Sequence, residues 1–307
     1  MSAGWVAGNV RARGMLKRRL GAPRARELAL SGSLVTAQGL LGETNHQPGI
    51  VVGQALAETE YRLAANLLWQ LRVLAGWQPR AGVAIVRTLA GGFEIADIVA
   101  RARVLAGATP VPVFELGALS LAWSRVRRTD SLAELRSVLA RSIWGDPGSD
   151  IPADIATGVR LTSAHRIATT IPEAAQWAVG DAALLVARHQ LLDHRPLTRP
   201  AASTATKLLG RAAIRARDWD SFQAALPARA RWVSADITEV DQLWRAEFRW
   251  WSRVGQDGLE LLRRPGFGPA ATIGAVAVLS FDAWRARAAI EFAVTGAASP
   301  EVYDALV

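Results

Sequence analysis

The stretch GGFEIADIVARARVLAGATPVPVF, Gly91–Phe114, carries the choice between helix and strand for this chain. Ile95, Val99 and Ala106 recur at helical spacing and Arg103 borders the same stripe, so the first part reads as an amphipathic helix. VPVF, Val111–Phe114, is the nearest case of strand-like alternation, and its prolines make it a loop. Outward from here, apolar residues keep three- and four-residue spacing over Gln54–Trp77, Val83–Ala106, Ile171–His194 and Val240–Arg264. Turn-forming runs separate them: HQPG at His46–Gly49, GDPGSDIP at Gly145–Pro152, HRPLTRP at His194–Pro200 and RRPGFGP at Arg263–Pro269. Ser131 precedes LAEL, with Glu134 completing a capping box; Asp218 and Ser299 mark further helix starts, the latter followed by Pro300. The expected fold is all-α, with about a dozen helices.

The triplet RAR stands at Arg11–Arg13, Arg101–Arg103 and Arg285–Arg287, spaced by about 90 and then about twice 90 residues. It also occurs at Arg24–Arg26, Arg215–Arg217 and Arg229–Arg231, as an Arg/Ala-rich chain produces by chance, so the surroundings carry the weight. Arg287 lies among Val276, Leu279, Ala283, Ile290 and Val294. A degenerate copy, LLVARHQLL, sets Arg188 among Leu184, Leu185, Leu191 and Leu192. Capped short segments recur as well: GSLVTAQGLLGETNH from Gly32, DSLAELRSVLARSIWGD from Asp130, DWDSFQAALPARARW from Asp218 and ASPEVYDALV from Ala298. Each unit reads as a long helix, a loop and a short capped helix. The expected organisation is a single domain over residues 1–307, made of about three helical pseudo-repeats whose first and last parts complete one lobe.

VRARGMLKRRL, Val10–Leu20, sharpens the question of the arginines. At helical pitch Val6, Val10, Leu16 and Leu20 share a side, and Arg13 and Lys17 fall on it too. Arg13, Arg103, Arg188 and Arg287 then have two readings. They are internal ion-pair residues, with Glu94, Asp97 and Asp282 as partners, or they line a surface that meets another subunit. The repetition favours the first for most of them.

A net charge of +9, almost all arginine, favours an anionic partner, although heavy Arg and Ala use with only Lys17 and Lys207 as lysines also fits a GC-rich coding sequence. The absence of cysteine excludes disulfides, thiolate metal sites and cysteine nucleophiles. MSAGWVAGNVRARG has no apolar core of signal-peptide length, and the longest apolar window, Ala270–Phe281, falls short of the roughly 20 residues that span a bilayer. A soluble or peripheral protein is expected.

Catalytic patterns are thin. GFGPAATIG, Gly266–Gly274, lacks dinucleotide spacing and a preceding strand, and neither lysine sits in a phosphate loop. His46, His165, His189 and His194 show no metal-ligand spacing, and Glu58/Glu60 and Glu239/Asp241 read as solvated acids. No catalytic, cofactor-binding or metal-ligating residue is assigned, and neither a cofactor nor a small-molecule substrate is expected. LWRAEFRWWSR, Leu243–Arg253, sets Trp244, Phe248 and Trp251 on one stripe and Arg245, Arg249 and Arg253 on another. That pattern reads as a core stripe with a solvated basic face, or as a surface for membrane, bases or a partner.

Three stretches resemble the V/A-type rotary ATPase central-stalk subunit called C in prokaryotic complexes and d in eukaryotic ones. NVRARGMLKRRLG, from Asn9, is similar to that family's Arg-rich opening helix. GGFEIADIVARARVLAGATPVPVFELGALS, from Gly91, resembles its acid-then-helix element and following loop. GPAATIGAVAVLSFDAWRARAAIEFAVTGAASPEVYDALV, from Gly268, is similar to its ending: a buried helix, an acid three before an arginine (Asp282, Arg285), a break at Gly296 and a short last helix. Asp97 and Trp284 stand where the family often has Asn, and the middle repeat departs most.

The resemblance implies three helical lobes about a pseudo-threefold axis, making a funnel. It implies a non-catalytic rotor subunit, peripheral on the cytoplasmic face of the membrane, seated on a proteolipid ring and receiving the shaft. The interface candidates are then Arg13, Lys17, Arg103, Arg188, Asp282, Arg285, Arg287, Trp244, Arg249 and Trp251. The alternative from charge is a basic helical nucleic-acid-binding protein, against which stand the spread of arginine along the chain and the lack of a recognised motif. An all-α enzyme would need paired acids or a metal cluster on facing helices, which the sequence does not offer.

Overall fold

The computed structural model describes residues 3–43 and 49–295; His46, Gly296, Ser299, Pro300 and the segment from Ala298 lie outside them. All regular structure among the described residues is helical. The helices are α1 (Ala3–Met15), α2 (Gly21–Ala29), α3 (Leu34–Gly42), α4 (Leu56–Gly76) and α5 (Arg80–Leu89). Then come α6 (Gly91–Leu105), α7 (Trp123–Val126), α8 (Leu132–Ala140), α9 (Pro152–Thr170) and α10 (Ala175–Ala187). The rest are α11 (Arg199–Leu209), α12 (Arg211–Arg215), α13 (Trp219–Ala225), α14 (Ala228–Arg231), α15 (Leu243–Arg263) and α16 (Pro269–Thr295). Val111–Phe114 is irregular, and Val83–Ala106 is broken at Ala90, between α5 and α6. Among the described residues no helix is long and apolar enough to cross a membrane.

The chain forms two compact units, one discontinuous (Met1–Val86 with Trp251–Val307) and one continuous (Arg87–Trp250). In the first, α16 is the axis, with α1, α2, α3 and α4 packed on it. Its segment Ala271–Leu279 is buried on every side, as expected of a helix apolar all round. Glycines set the approach of α15: a Cβ on Gly274 would stand 2.5 Å from the carbonyl oxygen of Gly258. Leu28, Leu41, Leu63 and Ile290 fill the space between α2, α3, α4 and α16.

α1 corrects the reading of the opening helix. Val6 and Val10 are exposed and so is Lys17, whereas Gly8, Asn9, Ala12 and Met15 are buried. The helix ends at Met15, so Leu16 and Leu20 do not continue the valine stripe. Close approach decided the face. A Cβ on Gly8 would collide with Gln78 Oε1, and Gln78 Nε2 donates to the Gly8 carbonyl at 3.1 Å. Asn9 Nδ2 donates to the Gly268 carbonyl at 3.0 Å. Small residues let the backbone pack where valines would hold it off.

In the second unit α9 packs against α6, α10 and α11. Ile98, Leu135, Leu139, Trp144 and Ile155 make one cluster, and Val186, Ala205, Phe222, Leu226 and Val233 another. α10 runs into a π-turn, Arg188–Leu192.

A short capped helix recurs. Ser33, Ser131 and Asp218 each accept the main-chain N–H three residues on, from Thr36, Glu134 and Ser221. The residues four and eight after each cap are buried: Ala37 and Leu41, Leu135 and Leu139, Phe222 and Leu226. At Ser131 the return bond from Glu134 goes to the N–H of Asp130, one residue before the cap. A cap of this kind contributes about 1 kcal/mol, and the apolar pair seats the helix.

Candidate interaction site

The buried acids are the first feature the site is built from. Asp282 on α16 accepts the main-chain N–H of Leu20 at 2.7 Å through Oδ2 and of Gly21 at 2.9 Å through Oδ1. Glu94 on α6 likewise accepts the N–H groups of Leu121 and Ala122, together with the Trp144 indole N–H. In both cases a carboxylate on a long helix holds two successive N–H groups where a short helical segment begins, at α2 and at α7. Such orphan donors at a helix start attract negative charge. Asp97, one turn after Glu94, accepts the Phe114 N–H at 3.0 Å while its Oδ2 is buried without a hydrogen-bond partner. Burial, helped by the neighbouring Glu94 charge and opposed by the Phe114 N–H, pushes the Asp97 carboxyl up to about 7.

These contacts correct the expected partners of the arginines: Arg188 and Arg287 pair with acids other than Glu94, Asp97 and Asp282. Arg103 is exposed and does not pair with Glu94, whose oxygens take main-chain donors, or with Asp97, which accepts from Phe114. Among the described residues Arg13 reaches the Arg264 carbonyl, at 3.4 Å, and no acid. Arg188 binds Glu247 at 3.1 Å on the surface. Arg287 is half exposed, 3.1 Å from Glu291 and 3.7 Å from Glu60. Burial and the Glu291 carboxyl raise the Glu60 carboxyl against the pull of Arg287. Of the repeated arginines, the buried one is Arg285, 2.9 Å from Asp282 Oδ1 and stacked over Phe281 at 4.8 Å. Arg103 and Arg287 therefore face outward and Arg13 is half-buried without an acid partner among the described residues; the geometry that repeats belongs to the acid.

α15 also differs from its sequence reading. Its buried stripe runs through Leu243, Ala246, Val254 and Leu261, while Trp244 is exposed, with Arg245 over its ring at 5.1 Å. Arg249 is not simply solvated: it donates to the carbonyls of Val233 and Ala235 and lies 3.5 Å from Asp236. Trp251 stacks on Trp284 at 5.6 Å, and Trp284 on Phe281 at 6.0 Å, extending the Arg285 contact into an aromatic ladder.

Sequence reasoning missed several polar anchors. Gln78 joins α1 to α16, since Thr272 Oγ1 donates to its Oε1 at 2.9 Å. Gln38 binds Gln54, Thr59 and Gly53. His189, in the π-turn, meets Thr157 at 3.1 Å, and Asp154 beside it pairs with Arg195 at 2.8 Å. A buried neutral amide gives no periodic or charge signal; only the N-terminal Pro152 hinted that Asp154 opens a helix. Among the described residues no group of acids and histidines is arranged to hold a metal ion.

The exposed chemistry collects on α1 and the C-terminal end of α4. Trp69 and Trp77 are each about half exposed, and the Arg11 guanidinium lies 5.8 Å from the Trp77 ring centre. Arg18, Arg72 and Arg80 are exposed on the same elements or just beyond them. No protein-family model matches the chain, and no curated protein matches it.

Proposed function

We propose that the chain is a non-catalytic central-stalk subunit of a V/A-type ATPase, coupling the cytoplasmic shaft to the membrane proteolipid ring during proton or sodium transport. The observation that carries the reading is the recurrence of one device. Asp282 seats the segment that leads through α2 to the Ser33-capped α3, and Glu94 seats the segment that leads through α7 to the Ser131-capped α8. The Asp218-capped α13 repeats the last step of it. This supports like helical lobes, in one of which the start and end of the chain complete each other, as the resemblance implies.

A coupling subunit must carry torque without shearing. Buried carboxylates on main-chain donors resist sliding, because moving either partner leaves a desolvated charge unpaired. In this reading the partners are the proteolipid ring and the shaft subunits, at the cytoplasmic face of the membrane, and the chain performs no chemistry of its own.

The test is an affinity pull-down of the tagged chain from gently solubilised native membranes, with mass spectrometry of the eluate. A proteolipid, the large membrane stator subunit and shaft subunits together are the expected result. Nucleic acid or unrelated soluble proteins in their place overturn it.

A further inference from the structure

We propose that the outward face formed by α1 and the C-terminal end of α4 docks on the anionic headgroups of a phospholipid bilayer. Residues 1–26 contain no acid and seven basic side chains, and residues 61–86 contain no acid and three arginines, of which Arg62 pairs with Glu58. These two acid-free stretches meet: Gln78 donates to the Gly8 carbonyl, and Pro79 lies against Gly4. Arg11 is held on the Trp77 indole with its Nε buried and without a hydrogen-bond partner. Stacking on an indole leaves the cation's charge uncompensated, unlike an ion pair.

The apolar part of the face selects the kind of partner. Along the outward stripe of α4 stand Trp69 at 48% exposure, Arg72 and Gly76, with Trp77 at 53% closing the helix; on α1 Val10 is 63% exposed. Indoles and aliphatic side chains interleaved with arginine suit the boundary between headgroups and acyl chains, where tryptophan settles and cations meet lipid phosphate. Bases would demand free aromatic faces, yet the Trp77 ring already carries Arg11, and valines offer bases nothing to stack on. Charge and exposure alone carry this surface, so a chain seated on a proteolipid ring and one that never meets a ring would both present it.

The experiment is co-sedimentation of the full-length protein with vesicles of phosphatidylcholine alone or with about 30 mol% phosphatidylglycerol, a composition that gives a strongly negative surface. The expected result is binding to the anionic vesicles only, falling as salt is raised. Arg11→Gln with Arg80→Gln should weaken binding by about tenfold or more, since each cation near the surface contributes about fivefold. Trp69→Ala with Trp77→Ala should weaken it while leaving the salt dependence in place. Thermal melting of each variant confirms that it is folded, as exposed positions allow. Equal binding to neutral vesicles, no binding to either, or variants that bind like the parent overturn the proposal. So does preference for a single-stranded oligonucleotide that the same substitutions abolish. Because pure lipid is the probe, failure here leaves the coupling reading to stand or fall on its pull-down.

Discussion

Asp282 reaches the main-chain nitrogen of Leu20 at 2.7 Å across 262 residues of sequence. The same carboxylate holds the Gly21 N–H and the Arg285 guanidinium, each at 2.9 Å. Gly21 has φ +80°, a left-handed conformation that turns the chain into α2 while both N–H groups stay aimed at one side chain. A late helix thus fixes an early turn, and the unit made of the chain's two ends depends on a handful of charge-assisted bonds.

Asp282→Ala removes those bonds and strands the Arg285 charge at 8% exposure. The expected loss is about 3–5 kcal/mol of unfolding free energy, read as a lowered midpoint in urea. Asp282→Asn keeps an acceptor for one of the two N–H groups and sets an NH2 donor against the other, so it too should lower the midpoint. A midpoint for Asp282→Ala equal to that of the parent removes the seating role.

Asp97 gives a pH signature of definite sign. Its carboxyl lies at about 7 in the folded chain against an ordinary value of 3.8, so the folded state binds the proton more tightly than the unfolded one. Ionised Asp97 therefore opposes folding: the cost is absent below pH about 4, grows as pH rises towards 7 and is complete above it. Asp97→Asn, which still accepts from Phe114, should stabilise the protein at pH 8 by up to about 4 kcal/mol and should confer no advantage at pH 4. Parallel urea titrations of parent and variant at the two pH values decide it, and equal midpoints at pH 8 refute it.

Much of the fold was legible because its signals are local. The helical spacing, the proline-broken loop at Val111–Phe114 and the caps at Ser131 and Asp218 each depend on a few neighbouring residues. The outward turn of Val6, Val10 and Lys17 was not legible, because which face of α1 is buried depends on how near Gln78 and Gly268 come. Valine looks like core by hydropathy, yet the glycine and alanine face allows the shorter distance and takes the contact. Glu94 and Asp282 stood out as acids near arginines, but a carboxylate that serves main-chain N–H groups far along the chain leaves no pairwise trace in sequence. The exposed Trp77 and Arg11 were hidden for the same reason: their meeting is tertiary.

The arginines separate by burial. Arg13→Ala loses one long contact, and Arg287→Ala loses surface pairs at 54% side-chain exposure, so each should shift stability by less than about 1 kcal/mol. Arg285→Ala, beside Asp282 and over Phe281, should lose about 2–4 kcal/mol. Melting curves of the three variants side by side test the division. A large effect at Arg13 or Arg287 would restore the reading of these residues as internal ties.

The glycines of α15 and α16 carry the last expectation. Gly274 faces the Gly258 carbonyl so closely that an added Cβ would sit 2.5 Å from that oxygen, with Leu262 Cγ, on the same helix as Gly258, at 2.9 Å. Neither backbone can yield without parting the two helices, and Ala271–Leu279 is buried all round, so relief in one direction creates overlap in another. Gly274→Ala should therefore destabilise by about 1–3 kcal/mol, although alanine is the better helix former by about 1 kcal/mol. Gly14, on the exposed side of α1, supplies the control: a Cβ there meets nothing within 4 Å, and Gly14→Ala should stabilise by about 0.5–1 kcal/mol. Opposite shifts in denaturation midpoint identify helix approach as the cause. If Gly274→Ala stabilises as Gly14→Ala does, the two helices have room to part, and the close crossing does not fix the core of that unit.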